Sequence, residues 1–112
     1  MGDVFLRRGQ VVALPFPFSD LSAQKLRPAL VLADAGRDDW LLCQITSKSY
    51  ADPRAVCITD PDFAKGGLRL VSYVRPVKLF TAHASLVVSV AGQLQDVAFR
   101  RVCDVLIDLL QQ

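Results

Sequence analysis

The stretch KLRPALVLAD, residues 25–34, decides the fold class and supplies the first candidate for chemistry. Pro28 disfavours helical geometry at Arg27, which places that arginine in extended backbone. The aliphatic run of residues 29–32 is uninterrupted, which is typical of a strand covered on both faces. The sequence therefore predicts a buried strand over residues 27–33 with a cation at its mouth. That cation is either a hinge between loop and strand or an anion site held in a fixed pose by the strand.

Other segments of the chain are also predicted to be short strands. They cover residues 10–14, 40–47, 55–59, 70–80 and 85–94. Pro76 lacks a backbone donor for the ladder, so the segment 70–80 is expected to be an edge strand or two short strands. Residues 60–68, DPDFAKGGL, are expected to form a short helical turn that the two glycines stop.

A proline-rich loop precedes the decisive stretch. Residues 15–25, PFPFSDLSAQK, cannot form a central strand because both prolines lack ladder donors. The loop is long compared with the ~4–6 residues of a typical connection, and loops of that kind are often functional.

The C-terminal segment, residues 96–110, changes to a helical period. An apolar stripe lies along one side of it, formed by Ala98, Phe99, Val102, Cys103, Val105, Leu106, Leu109 and Leu110. Asp96, Arg100 and Asp104 follow one another at intervals of four with alternating charge, which supports a helix. The expected fold is mainly β with a C-terminal helix, a small antiparallel barrel or strongly bent sheet that makes one domain of residues 1–112.

Composition sets limits on the class of protein. The chain has 112 residues, of which 52% are hydrophobic and 21% charged, and its formal net charge is +2. This balance favours a folded domain, and the charge is too mild to establish nucleic-acid binding by itself. No apolar run approaches the ~18 residues of a membrane helix, and the N-terminal residues lack the pattern of a secretion signal. A cytoplasmic protein without membrane contact is expected.

The cysteines and the histidine argue against a metal site. Cys43, Cys57 and Cys103 are odd in number and form no C-x-x-C pair, which indicates a reducing compartment with thiols buried as small hydrophobic groups. One histidine and three scattered cysteines match no zinc-ligand spacing. Neither a metal nor a cofactor is expected.

Three segments together resemble the MazF/PemK-type toxins of bacterial toxin–antitoxin pairs. They are GQVVALPFPFSDLSAQKLRPALVL, LLCQITSKSY and DFAKGGLRLVSYVRPVKLFTAHASL, in a resemblance that covers residues 7–110. Its specific part is an Arg-Pro that opens one aliphatic strand and an Ile-Thr-Ser that closes the next. The resemblance implies a CcdB-like, SH3-like barrel, a homodimer, metal-independent endoribonuclease activity on single-stranded mRNA, and control by a small antitoxin that lies over the RNA groove.

The resemblance also implies that Arg27 is the main catalytic residue and Thr46 the second. Metal-free RNA cleavage begins with attack of the ribose 2′-OH on its own phosphorus, so negative charge builds on the phosphoryl oxygens and must be stabilised. A guanidinium presents planar donors that match phosphate and stays charged at any usable pH. Without the resemblance, the favoured interpretation of Arg27 is a loop cap or a partner of Asp20, and that of Thr46 is an ordinary strand residue.

A wider set of residues is expected to contact RNA: Phe16, Phe18, Asp20, Lys25, Ser47, Lys48, Ser72, Arg75 and Lys78. Aromatic rings beside a basic groove can stack on bases, but the two phenylalanines equally fit core positions that pin the loop. Each basic residue taken alone more commonly belongs to a solvated strand face, although together they could line an RNA channel. His83, the only histidine, is expected in a solvated turn, which leaves the general base unassigned.

The stretch SYVRPVKLF departs from part of the family. Arg75 and Pro76 stand where the Kid-like branch carries a catalytic carboxylate, which leaves the arginine–threonine version of the mechanism. The alternative function is a non-catalytic binding module on the same fold, either a degenerate RNA binder or a gyrase-targeting toxin of the CcdB type. CcdB-like toxins act through a C-terminal tail that bears a tryptophan, whereas this chain ends in DLLQQ and its lone Trp40 is expected in a turn.

Overall fold

The stretch that contains Arg27 forms the second strand of a seven-stranded sheet. The computed structural model describes residues 5–16, 25–48 and 52–112. Its strands are β1 (Gln10–Pro15), β2 (Leu26–Gly36), β3 (Asp39–Thr46), β4 (Val56–Ile58), β5 (Phe63–Gly66), β6 (Ser72–His83) and β7 (Ser89–Leu94). The described residues also form a helix, α1 (Asp96–Gln111), and two 3-10 turns (Asp60–Asp62 and Ala84–Leu86).

The strands follow the order β4–β6–β3–β2–β1–β7–β5, and every neighbouring pair is antiparallel. The sheet curls into a half-barrel, which confirms the expected mainly β fold with a C-terminal helix. A two-residue turn joins β2 to β3, and both of its residues, Arg37 and Asp38, have positive φ (56° and 63°). Positive φ at both positions is typical of a type I′ hairpin, whose twist matches that of the paired strands. Trp40 therefore lies near the start of β3, and the expectation that it lies in the turn is wrong.

The strand β2 is covered on both faces, as its apolar run predicts. Leu30 and Leu32 pack in one core cluster with Val102 of α1, whereas Ala29 and Val31 pack in a second cluster on the other face of the sheet. All four residues of the run are at most 6% exposed. Alternate side chains of a strand point to opposite faces, so a continuous apolar run serves two cores at once.

The segment around Pro76 is one long strand and not an edge. The strand β6 lies between β3 and β4, so the expectation of an edge strand or two short strands is wrong. The register with β3 jumps from Cys43↔Leu79 to Gln44↔Arg75, which leaves residues 76–78 outside the ladder. A proline without a backbone donor is tolerated at such a bulge, and Pro76 itself is fully buried there.

The segment 60–68 also differs from expectation. The helical part is confined to the 3-10 turn Asp60–Asp62, and β5 follows it directly. Gly66 has a φ of +64°, and a Cβ at this position would collide with the carbonyl oxygen of Ala91 in β7. The glycine is thus needed because β5 and β7 approach closely, and it does not end a helix.

The C-terminal helix matches its predicted bounds to within one residue. Its apolar side packs on the sheet, where Ala98 and Val102 are fully buried. Gln95 precedes the helix without a side-chain capping bond, in agreement with its weak propensity as a cap. In the part of the chain that the structure describes, no helix is long and apolar enough to cross a membrane.

Candidate active site

Arg27 and Thr46 lie at the same end of the β2–β3 pair and line one cleft there. The last pair of the ladder between the two strands at this end is Ala29 with Gln44, and Arg27 and Thr46 each lie two residues beyond it. The sheet thus brings together two residues that are 19 positions apart in the sequence.

A cleft of about 400 Å³ opens at this end of the sheet. Five residues of the predicted set line it, namely Arg27, Thr46, Ser47, Lys48 and Ser72, together with Pro28, Ile45, Leu68, Arg69 and Leu70. The last three belong to the connection between β5 and β6, residues 67–71, which we call the wall loop. The cleft therefore combines strand ends, which are rigid, with one loop.

Two of the three hydroxyl groups in the cleft, those of Thr46 and Ser72, are held differently. The Thr46 Oγ1 accepts a hydrogen bond from the backbone N–H of Lys48 at 3.1 Å. This bond orients the oxygen and does not use the hydroxyl hydrogen, which can be donated to a bound anion. The Ser72 Oγ donates to the carbonyl oxygen of Leu70 at 2.9 Å, and Ser72 is only 4% exposed. Ser72 therefore braces the wall loop instead of presenting its hydrogen to a ligand.

The cleft carries three cations, Arg27, Lys48 and Arg69, and all three are exposed. Within residues 5–16, 25–48 and 52–112, none of their side chains makes a hydrogen bond or an ion pair. Asp20, the partner proposed for Arg27 in the alternative interpretation, lies outside the described residues. A cluster of cations beside an oriented hydroxyl is suited to bind phosphate.

Three other predicted cations do not line the cleft. Arg75 donates from Nε to Oδ2 of Asp52 at 2.9 Å, and the two side chains are 18% and 10% exposed. This hydrogen bond is the main reason why the pKa of Asp52 lies below its ordinary value, and the backbone N–H of Arg54 adds a second bond to the carboxylate at 3.0 Å. Lys25 and Lys78 are exposed away from the cleft lining.

Phe16 takes the structural one of its two expected roles. Its side chain is 4% exposed, and its ring packs against that of Phe80 with centroids 5.0 Å apart and a tilt of 59°. Stacking on a nucleobase requires an exposed ring face, so the expectation that Phe16 stacks on RNA is contradicted by its position in the core. Phe18, like Asp20, lies outside the described residues.

His83 lies at the far end of the sheet from the cleft. It pairs with Asp39 at the start of β3, whereas Thr46 is at the end of that strand. The Nδ1 of His83 accepts a hydrogen bond from the backbone N–H of Ser85 at 3.1 Å and caps the turn Ala84–Leu86. An exposed turn histidine was expected, and its position offers no proton acceptor to the cleft.

The thiols are less uniformly buried than expected. Cys43 is buried in the core, where desolvation raises its pKa to about 12, whereas Cys103 is half-buried and Cys57 is exposed on the edge strand β4. The expectation of three buried thiols is therefore wrong for Cys57. Across the residues that the structure describes, no three histidine, cysteine, aspartate or glutamate side chains group together as metal ligands would.

Comparison with known proteins identifies the family. The sequence matches the family model of the PemK-like, MazF-like toxins of type II toxin–antitoxin systems over residues 7–110. The chain belongs to this family. A comparison with curated proteins gives no match.

Solved structures of MazF-type toxins share the fold. MazF from Deinococcus radiodurans (Form-I) superposes with a TM-score of 0.76 at 22% identity, covering 98% of this chain and 100% of that one. A MazE–MazF complex from the same organism (Form-II) gives 0.73 at 19% identity, with 96% and 97% covered. An endoribonuclease in complex with its cognate antitoxin, from a mycobacterial species, gives 0.72 at 18% identity, with 93% of each chain covered.

Two residues of this MazF-like chain escaped the sequence analysis. Arg69 lines the cleft because β5 pairs with β7 and turns the wall loop towards the end of β3. Its only sequence signal was its place two residues after Gly67, in a pair of glycines that were interpreted as a helix stop. Asp52 binds Arg75 from a polar loop, and no local pattern pairs residues that lie 23 positions apart.

Proposed function

We propose that this MazF-like toxin is a metal-independent, sequence-selective endoribonuclease that cuts single-stranded mRNA and thereby arrests growth. The observation that carries the proposal is that Arg27 and Thr46 line one cleft, together with Lys48 and Arg69. The cleft offers charge-assisted donors to a phosphate. Single-stranded RNA suits such a cleft because its bases can be splayed out of the stack and recognised individually.

Cleavage proceeds by attack of the ribose 2′-oxygen on the adjacent phosphorus. The P–O5′ bond breaks, and the products are a 2′,3′-cyclic phosphate and a 5′-hydroxyl. Arg27 donates to the non-bridging oxygens as their charge grows, and the Thr46 hydroxyl donates to the same phosphate from its oriented position. The 2′-OH gives its proton to a base, and the leaving 5′-oxygen takes a proton from an acid. His83 lies at the other end of β3 and supplies neither.

The proposed assembly is a cytoplasmic homodimer that a cognate antitoxin inhibits. Large apolar side chains are exposed on several elements, including Leu26, Val88 and Val97 at 54%, 59% and 69%, and a protein of this size commonly buries such groups in a partner. The relatives from Deinococcus radiodurans and from mycobacteria form complexes with antitoxins. A long single-stranded RNA crossing the dimer would meet one cleft in each protomer.

The test is cleavage of a long unstructured RNA in the presence of EDTA. The protein, free of antitoxin, is compared with Arg27→Ala and with Arg100→Ala, which removes an exposed arginine of α1 that does not line the cleft. We expect discrete cuts with cyclic-phosphate ends from the unmodified protein and from Arg100→Ala, and a loss of cleavage of about 10²–10³-fold in Arg27→Ala. A folded protein that leaves RNA intact would contradict the proposal and favour a non-catalytic binding module.

A further inference from the structure

A second cleft lies on the other side of the wall loop. Its volume is about 270 Å³, and it is lined by the end of β4, the following 3-10 turn, the start of β5 and the wall loop. The lining residues Leu68, Arg69 and Leu70 are shared with the first cleft, so a single stretch of three residues separates the two. A ligand that binds across the wall loop can therefore occupy both clefts at once.

The floor of the second cleft is apolar, and its lining also includes exposed apolar and polar side chains. Ile58 and Phe63 are buried at 1% and 9% exposure and form the floor, and Pro61 and Val71 are exposed at the rim. Asp60 contributes the acidic group of the lining. A cleft with an apolar floor and several polar side chains in its lining suits a partly polar ring.

The carboxylate of Asp60 is available to a ligand, whereas that of the nearby Asp62 is not. The carboxylate of Asp62 accepts from the backbone N–H of Thr59 at 2.8 Å and from Nη2 of Arg101 at 2.8 Å. For the exposed Asp60, in contrast, no hydrogen bond or ion pair joins its carboxylate to any residue of the described ranges. Its Oδ1 points towards the wall loop, since a Cβ placed on Gly67 would lie 3.6 Å from it.

We infer that the second cleft binds one base of the RNA whose phosphate occupies the first cleft, and that Asp60 selects guanine there. The inference rests on the proposed function, because it names a base subsite of the same site. The Watson–Crick edge of guanine carries two adjacent donors, N1–H and the N2 amino group, and a carboxylate can accept both. Cytosine and adenine offer one amino donor on that edge, and uracil flanks its single N–H with two carbonyl oxygens that a carboxylate repels.

The cation between the two clefts makes an acidic base subsite compatible with RNA. A carboxylate near a phosphate chain is repelled by it unless a positive charge lies between them. Arg69 lines both clefts, so it can bind the phosphate on one side while Asp60 meets the base on the other. The two arginines of the site then have separate tasks, with Arg27 at the reacting phosphate and Arg69 at the junction.

The test measures binding of uncleavable RNA as well as cleavage. Uridine hexamers with 2′-O-methyl groups carry a single guanine, adenine or cytosine at each position in turn, and their affinities are measured by fluorescence anisotropy. The protein is compared with Asp60→Asn, which keeps the side chain's shape, and with Asp60→Ala. Asp104→Asn is the matched control, because it removes the same charge from an exposed residue of α1 that lines neither cleft. Cleavage of an RNA randomised around the cut is sequenced in parallel.

We expect guanine at one position to raise affinity by roughly 5- to 150-fold, as a bidentate contact does, and both Asp60 variants to lose that preference. Asp104→Asn should keep it. The subsite is overturned if the guanine preference survives Asp60→Asn. It is also overturned if Asp104→Asn removes the preference to the same extent as Asp60→Asn does. If the protein cuts RNA without any Asp60-dependent preference, the subsite fails and the nuclease stands. If it binds with that preference and does not cut, the nuclease fails and the subsite stands; if it does neither, both fail.

Discussion

The Nε of Arg75 lies 2.9 Å from Oδ2 of Asp52, and this ion pair joins β6 to the segment before β4. The same carboxylate accepts from the backbone N–H of Arg54 and so holds its own loop in place. The side chains of the pair are largely withdrawn from water, at 18% and 10% exposure. Arg75, which the sequence suggested as an RNA contact, is therefore an anchor for the chain entering β4.

Replacement of Asp52 by asparagine is expected to remove an acid-sensitive part of the stability. The pKa of Asp52 is lowered on folding, mainly by the hydrogen bond from Arg75. The charged carboxylate therefore stabilises the folded state above the ordinary pKa of 3.8, and this contribution is lost as the pH falls through the lower folded-state pKa. Asp52→Asn should be less stable than the unmodified protein near neutral pH and lose less stability in acid.

The measurement is the free energy of unfolding in urea at several pH values, from about pH 6 down to about pH 3, which covers the range around and below the ordinary aspartate pKa. Asp104→Asn serves as the control for the loss of one negative charge. Parallel pH profiles for the unmodified protein and Asp52→Asn would show that the ion pair contributes nothing to the pH dependence.

Phe16→Ala is expected to destabilise the protein by about 3–5 kcal/mol, because a buried aromatic ring leaves a cavity when it is removed. The ring is 4% exposed and packs against Phe80. The matched control is Phe5→Ala, since Phe5 is 86% exposed and its removal should change stability by no more than about 0.5 kcal/mol. Urea denaturation measures both. A Phe16→Ala protein of unchanged stability with weakened RNA binding would restore the stacking role.

Gly66→Ala and Gly67→Ala form a pair that tests the close approach of β5 to β7. A Cβ on Gly66 collides with the backbone of Ala91, and the positive φ of Gly66 alone costs a residue with a side chain about 1–2 kcal/mol. On Gly67 the nearest atom to an added Cβ is a carboxylate oxygen at 3.6 Å, an ordinary contact. Gly66→Ala should therefore unfold at clearly lower urea concentration than Gly67→Ala. Equal urea midpoints for the two variants would mean that β5 and β7 can move apart without loss of stability.

Cys57 is expected to be the first of the three thiols to be alkylated in the native protein. It is exposed on β4, whereas Cys43 is buried and its pKa is raised to about 12, so that it holds its proton at neutral pH. Brief treatment with iodoacetamide followed by peptide mass spectrometry should find the label on Cys57, and the same treatment in urea should label all three. Early labelling of Cys43 in native protein would contradict its place in the core.

Local signals predicted the parts of the fold and of the cleft that depend on neighbours in sequence. Pro28 fixes the extended entry of Arg27, and the apolar run behind it fixes a strand with two covered faces. The place of Thr46 at the same end of the sheet as Arg27 follows once β2 and β3 form a hairpin. These conclusions need only residues within one hairpin, and the structure agrees with them.

Long-range packing decided the rest. The ring of Phe16 packs against Phe80 of β6. Arg75 is anchored by a hydrogen bond to Asp52, which lies in the loop before β4. Arg69 lines the cleft because β5 pairs with β7, whereas the segment that contains β5 was predicted to form a helical turn. The local sequence around a charged or aromatic strand residue is the same whether its side chain faces water, a partner residue or the core. Its role therefore depends on contacts with residues that are distant in the sequence.

The last prediction concerns the shared task of Arg27 and Thr46. If both donate to one phosphate, each single alanine variant should lower RNA cleavage by about 10²–10³-fold, and the double variant should lose much less than the product of the two losses. Thr81→Ala is the matched control, because Thr81 is an exposed strand threonine that does not line the cleft. Rates are measured under single-turnover conditions with EDTA present, after each variant is shown to unfold like its parent. A double variant whose loss of rate equals the product of the two single losses would assign the residues to independent steps. Two residues that stabilise the same charge act as a unit, so removal of the second costs less once the first is absent.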